Sequence, residues 1–238
     1  KISKSLKREF VSELIKYKRK DKIYSKKKYD FIFFTTNLDE YVFTGHVADQ
    51  VQLILKYLNS FPKNSNVAIR LHPNTRTKMS FDRFYWDKFS NYISNFGIDV
   101  FSYNSNIDSY SLSDKNTLSF SMGSTIGGEL IYEGNNHHFI SDFNPFSLDE
   151  GVVKIDPKDI QLNGFPKKPI TKKKNIDKNI IASALMLPFF IGEDFDYKIN
   201  RMSKNPIYKY MYNKFDYLLD DKNLTIGISQ KQLLEINY

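Results

Sequence analysis

The sequence predicts an α/β fold built on a doubly wound parallel sheet. Short aromatic and β-branched runs recur between residues 29 and 141, segments with helical apolar spacing separate them, and Pro73, Gly97 and Gly134 punctuate the joins. Strands that alternate with helices pair in parallel through right-handed crossovers, which leaves few other ways to fold such a chain.

Tyr29 to Thr36 reads as the first, buried strand. Val47, Val51, Ile54, Leu55 and Leu58 then fall on one helical face, giving a helix over 47–58. Asn66 to His72 is the second strand, ended by Pro73, and a helix over 82–95 carries Phe84, Phe89, Tyr92 and Ile93. Gly97 ends that helix, Ile98 to Tyr103 is the third strand, and Asp108 to Leu112 is a short turn. Thr117 to Met122 is the fourth strand, Gly123-Ser124-Thr125 turns into a helix ending at Gly134, and His138 to Ser141 is the fifth strand. From about residue 156 the pattern changes. A Lys/Pro-rich linker (Pro166, Lys167, Lys168, Pro169, Lys172, Lys173, Lys174) leads to a helix near 176–187 and a Tyr-rich helical tail. The expected organisation is a basic prefix over 1–28, a Rossmann-like domain over 29–156, and a linker with helical tail over 157–238 that packs on the domain.

Composition narrows the function. The 238 residues include no cysteine, which removes disulfides, thiolate metal sites and cysteine nucleophiles. The longest apolar stretch, Ile180 to Ile191, is too short to span a bilayer and is broken by Pro188. Without a signal-peptide pattern, the expected setting is cytoplasmic. Lys1 in place of an initiator methionine suggests a piece of a longer chain.

The net charge of +8 is unevenly spread. Residues 1–28 hold 12 basic and three acidic side chains, a balance of +9, so the remainder carries −1. A near-neutral body is a poor nucleic-acid binder. Within the prefix, Ile2, Leu6, Phe10 and Leu14 recur at helical spacing opposite lysines. Two readings stand: a helix lying on an anionic membrane surface at the inner face, or a helix packed on the domain or linking to one upstream.

In an open parallel sheet, ligands bind at the carboxyl ends of the strands. The second strand ends in Arg70-Leu71-His72-Pro73 and the fourth in Gly123-Ser124-Thr125, with Glu129 four residues into the following helix. Small residues admit a ligand to the backbone, and a helix start offers free N–H groups to an anion. The same Ser-Thr would serve equally as an ordinary N-cap. A histidine fixed by the next proline can donate to a phosphate, and Arg70 alternates with it along the strand.

Taken together, Phe33-Phe34-Thr35-Thr36-Asn37 with Asp39-Glu40, Arg70-Leu71-His72-Pro73, and Gly123-Ser124-Thr125 with Glu129 resemble the donor-binding half of GT-B glycosyltransferases. The similar enzymes are capsule, Kdo and sialic acid transferases of bacterial surface polysaccharide and lipopolysaccharide assembly. The resemblance covers Phe33 to Asp142. It implies a nucleotide-sugar donor such as a CMP- or UDP-sugar, a glycan or glycolipid acceptor, no metal and no further cofactor. It implies that His72, Ser124 and Thr125 contact the donor phosphate, with Arg70, Pro73 and Gly123 shaping that site, and that Glu129 lies near the ribose. Asp39 and Glu40 are the carboxylates offered as base. CDP-glycerol phosphotransferases share a similar layout, and a nucleotide-binding module without catalysis is a third possibility. A complete GT-B enzyme has two Rossmann-like halves, whereas this chain has strands for one, so an upstream acceptor domain or a partner is expected. Asp194-Phe195-Asp196, His46 and His137-His138 are the remaining metal or ligand candidates. The first sits outside any strand end, and the two adjacent histidines would face opposite sides of a strand.

Overall fold

The computed structural model describes residues 3–36, 47–77, 80–140, 145–172, 174–190 and 206–215. By its contacts the chain divides into two compact units, residues 21–176 and a second unit made from both ends, residues 1–20 and 177–238. The sequence had drawn these limits at 28/29 and 156/157.

The larger unit is a six-stranded, all-parallel sheet of order β3-β2-β1-β4-β5-β6. Its strands are β1 (Phe31–Phe34), β2 (Val67–Arg70), β3 (Asp99–Phe101), β4 (Leu118–Ser121), β5 (Asn136–Phe139) and β6 (Val153–Lys154). Helix α2 (Val47–Leu58) joins β1 to β2, α3 (Ser80–Ser94) joins β2 to β3, and α4 (Thr125–Glu133) joins β4 to β5; α5 (Pro157–Asn163) follows β6. This is the Rossmann-like order expected from the alternation, with the chain reversing direction across the sheet between β1 and β4.

One face of the sheet is an aromatic core. Phe33, Tyr57, Phe120 and Phe165 meet edge to face, and the Tyr57 hydroxyl donates to the Ala68 carbonyl at 3.2 Å. Leu53, Ile54, Ile69 and Trp86 complete it, all fully buried. On the other face α4 lies very close to β5. A Cβ on Gly127 would come within 2.3 Å of His137 Nε2, and one on Gly128 within 2.3 Å of Phe146. The paired glycines let the helix backbone settle on the sheet.

Three elements depart from expectation. β5 spans 136–139 rather than 138–141, because Gly134 (φ +91°) ends α4 abruptly and Asn136 and His137 already pair with Leu118 and Ser119. β6 is a strand inside the expected domain that the sequence did not mark, and α5 stands where a linker was expected; α5 is opened by Asp156, whose carboxylate accepts from the Lys158 N–H at 2.8 Å, with Pro157 in its first turn.

The smaller unit is helical: α1 (Lys4–Arg19), α6 (Lys178–Phe190) and α7 (Pro206–Phe215). α1 packs on both of the others. Phe10, Val11, Leu14 and Ile15 are buried, as are Ile181, Leu185, Met186 and Met211. Lys7 donates to Ser183 (2.6 Å), Glu13 accepts from Tyr210 (2.8 Å) and pairs with Lys214 (3.0 Å), and Tyr17 stacks on Tyr210 at 4.7 Å. Of the apolar stripe offered to a lipid surface by the sequence, Phe10 and Leu14 are therefore consumed by protein and Leu6 is half-buried, while Ile2 lies outside the described residues. The exposed side of α1 keeps Lys4, Arg8 and Lys16. Among the described residues, no helix is long and apolar enough to cross a membrane.

Candidate functional site

Register places the candidate residues side by side. Phe34 of β1 is paired with Arg70 of β2 on one side and Ser121 of β4 on the other. His72, Thr36 and Gly123 each stand two residues beyond that shared rung. They line the carboxyl edge at the point where strand order reverses, the usual ligand crevice of such sheets. With strands about 4.8 Å apart, the β2 and β4 ends are separated by roughly 10 Å, with the end of β1 between them.

The turn after β2 is anchored to β1. The His72 N–H donates to Thr35 Oγ1 at 3.0 Å, and Thr36 is fixed in turn by the buried Gln50, whose Oε1 accepts from the Thr36 N–H at 2.9 Å. The half-buried His72 ring accepts at Nδ1 from the Asn74 N–H (3.2 Å). That bond places the proton of the neutral ring on Nε2, which makes Nε2 a donor. Pro73 opens a short 3-10 helix, Pro73–Thr77, on which Arg76 is exposed.

The turn after β4 supplies a helix start. Gly123 has φ +115°, a conformation that suits glycine, and Ser124 is the N-cap of α4. An N-cap serine ordinarily bonds back to the N2 or N3 amide. Ser124 is only 8% exposed and makes no such side-chain capping bond. The Gly127 N–H bonds back to the Ser124 carbonyl at 3.0 Å, so the donor set suited to an anion is the Ser124 hydroxyl with the opening amides of α4 ahead of Gly127, reinforced by the helix dipole. Thr125, the first helical residue, is exposed.

Two expected site residues are used elsewhere. Arg70 is buried, and its guanidinium donates to the carbonyls of Phe101, Ser102 and Ser105 and to Ser109 Oγ (3.1 Å). Burial, with Arg76 nearby, lowers its pKa to about 10. It staples the segment after β3 instead of facing a ligand. Glu129 is fully buried and accepts from the Tyr110 hydroxyl at 2.5 Å. Burial, then the Glu129 charge, push the Tyr110 phenol well above its ordinary range. One turn into α4, Glu129 meets Tyr110 of the 3-10 turn at Ser109–Leu112. Asp39, Glu40, His46 and Asp194 to Asp196 lie outside the described residues.

Sequence reasoning missed the support beneath α4. Ser119 Oγ donates to the Asn136 carbonyl (3.0 Å) and accepts from His137 Nδ1 (2.8 Å); His137 Nε2 then accepts from the Ser121 hydroxyl (2.9 Å). Burial holds His137 neutral, with a pKa of about 3. The next residue, His138, faces the opposite side, as strand alternation requires: its Nε2 accepts from the Ile170 N–H at 3.3 Å, and burial lowers its pKa to about 4. Ser119 and Ser121, two apart on one strand face, were the available signal.

Comparison with protein-family models, with curated proteins and with solved structures finds no match to this chain. The functional reading therefore rests on the residues at the carboxyl edge.

Proposed function

We propose that the chain is a glycosyltransferase that takes a sugar from a nucleotide-activated donor, a CMP- or UDP-sugar, and passes it to a bacterial surface glycan. The observation that carries the reading is the α4 start, with its uncommitted Ser124 hydroxyl, level with His72 across the end of β1. The donor phosphate would sit over Thr35, taking hydrogen bonds from the α4 amides, Ser124 and His72 Nε2. As the acceptor hydroxyl oxygen bonds to the anomeric carbon and gives up its proton to solvent, the carbon–oxygen bond to phosphate breaks and its electron pair moves onto the phosphate. Donors fixed around that oxygen lower the barrier by meeting charge where it develops. Arg70 and Glu129 take no part in this account. Arg70 holds the segment beside the site, and Glu129 holds α4 to the turn at 109–112.

The test is His72→Ala, with transfer from CMP- and UDP-sugars measured against the unaltered chain. Loss of one positioned donor should lower turnover about 100-fold or more, with an unchanged unfolding midpoint. Undiminished transfer would remove His72 from the reaction. Transfer of glycerol phosphate from a CDP-glycerol donor to the acceptor with release of CMP, and no sugar transfer, would move the site to phosphotransfer.

A further inference from the structure

The basic segment leading into β1 is a pinned strap. Ile23 forms a parallel bridge with Ile107: its N–H donates to the Asn106 carbonyl (2.9 Å), and its carbonyl accepts from the Asp108 N–H (2.8 Å). The Ser25 N–H donates to Ser111 Oγ (2.8 Å), and Lys22 to Asn106 Oδ1 (3.0 Å). Further along, Lys27 and Tyr29 both hold Asp99, at 2.5 and 2.7 Å. Residues 102–108 follow the carboxyl end of β3, whereas Asp99 begins that strand. The strap therefore descends from the carboxyl edge of the sheet to the amino edge.

Its side chains are less sheltered than its backbone. Ile23 is 62% exposed and Tyr24 58%. Lys22, Lys26, Lys27 and Lys28 are exposed around them, Lys28 lying 5.3 Å from the Tyr24 ring centre. Scattered surface hydrophobics need no explanation. Here an isoleucine and a tyrosine stand together on a backbone fixed by hydrogen bonds, among lysines of which only Lys27 is paired with a carboxylate among the described residues. Arg70, through the carbonyls of Ser102 and Ser105, stiffens the segment that carries them.

We propose that this strap is a docking surface for an anionic lipid membrane, with Ile23 and Tyr24 entering the headgroup region and Lys22, Lys26 and Lys28 meeting the lipid phosphates. Charge complementarity selects an anionic partner. The displayed apolar pair selects lipid over a soluble polyanion, which would gain nothing from it. The membrane element is thus the strap and not the apolar face of α1. Its upper end lies on the carboxyl edge, so docking would bring that edge toward lipid, where a glycolipid acceptor would be found. That orientation rests on the proposed function, whereas the docking stands without it.

The experiment is co-sedimentation of the full chain with vesicles of phosphatidylcholine alone or with about one-third phosphatidylglycerol. Two variants accompany it, Ile23→Ser with Tyr24→Ser, and Lys22→Gln with Lys26→Gln and Lys28→Gln. The unaltered chain should sediment with the anionic vesicles only. The triple variant should partition about 100-fold less, at roughly fivefold per lysine. The apolar double variant should lose about tenfold at the same net charge. Its bridge is made by backbone, so its unfolding midpoint should hold. Three results would overturn the proposal: no sedimentation with anionic vesicles, a double variant that partitions as well as the unaltered chain, or binding to heparin in place of vesicles. Donor binding measured on the same variants separates failure here from failure of the proposed reaction.

Discussion

Lowering the pH from 7 to 5 should destabilise the sheet unit through the two adjacent histidines of β5. Burial holds His137 near pKa 3 and His138 near 4, against about 6.5 in an unfolded chain. The folded state thus binds fewer protons than the unfolded state between about pH 4 and 6.5. In that window stability rises with pH, is complete above about 6.5, and is lost as pH falls. Each histidine contributes a slope of about 1.4 kcal/mol per pH unit, or about 2 kcal/mol between pH 7 and 5. The pair contributes about 4 kcal/mol, a large share of the 5–15 kcal/mol typical of folded domains. The protein has one tryptophan, and Trp86 is fully buried in the sheet unit, so its fluorescence in urea reports this unit directly. Between about pH 5 and 6 the unfolding free energy should fall with a two-proton slope. His137→Gln should be less stable at neutral pH, having lost the bonds to Ser119 and Ser121, yet should show only a one-proton slope. A slope near zero in the unaltered chain, or one that His137→Gln leaves unchanged, would refute the reasoning.

Two further substitutions probe the supports of the site. Arg70→Met should destabilise the sheet unit by about 3 kcal/mol in urea unfolding, since carbonyls of residues 101–105 lose their donor, while nucleotide affinity of the folded protein stays the same. Gly127→Ala should cost about 1–3 kcal/mol by forcing His137 and Phe139 away from α4, and should weaken phosphate binding as the helix start shifts; calorimetric titration with a nucleotide measures the second effect.

Much of the fold was legible because its signals are local. Helix α2 runs over the residues its apolar spacing marked, and the alternation of strands and helices specified the parallel sheet. What escaped depended on neighbours distant in sequence. Asn136 and His137 fall before the start expected for the fifth strand, and they join it because Ser119 and Ser121 stand opposite to satisfy the imidazole. β6 is two residues long and exists only as an edge partner of β5. Asp156-Pro157 was a readable helix start that the lysines and prolines around it obscured. At the candidate site, His72, Gly123, Ser124 and Thr125 stand just past strand ends, where their order in the sequence put them. Arg70 and Glu129 were misread because spacing fixes how far along an element a residue lies, whereas packing decides what its side chain meets. The stripe on α1 was read correctly as one face of a helix, and its occupant proved to be α6 and α7.

The central claim, an anion site for a nucleotide at the start of α4, is tested most directly by thermal unfolding with CMP, CDP, UDP and GDP in turn. One of these nucleotides should raise the unfolding midpoint in proportion to the logarithm of its concentration, and Gly123→Val with Ser124→Ala should abolish the shift. No stabilisation by any nucleotide, or a shift that survives those substitutions, would contradict the account.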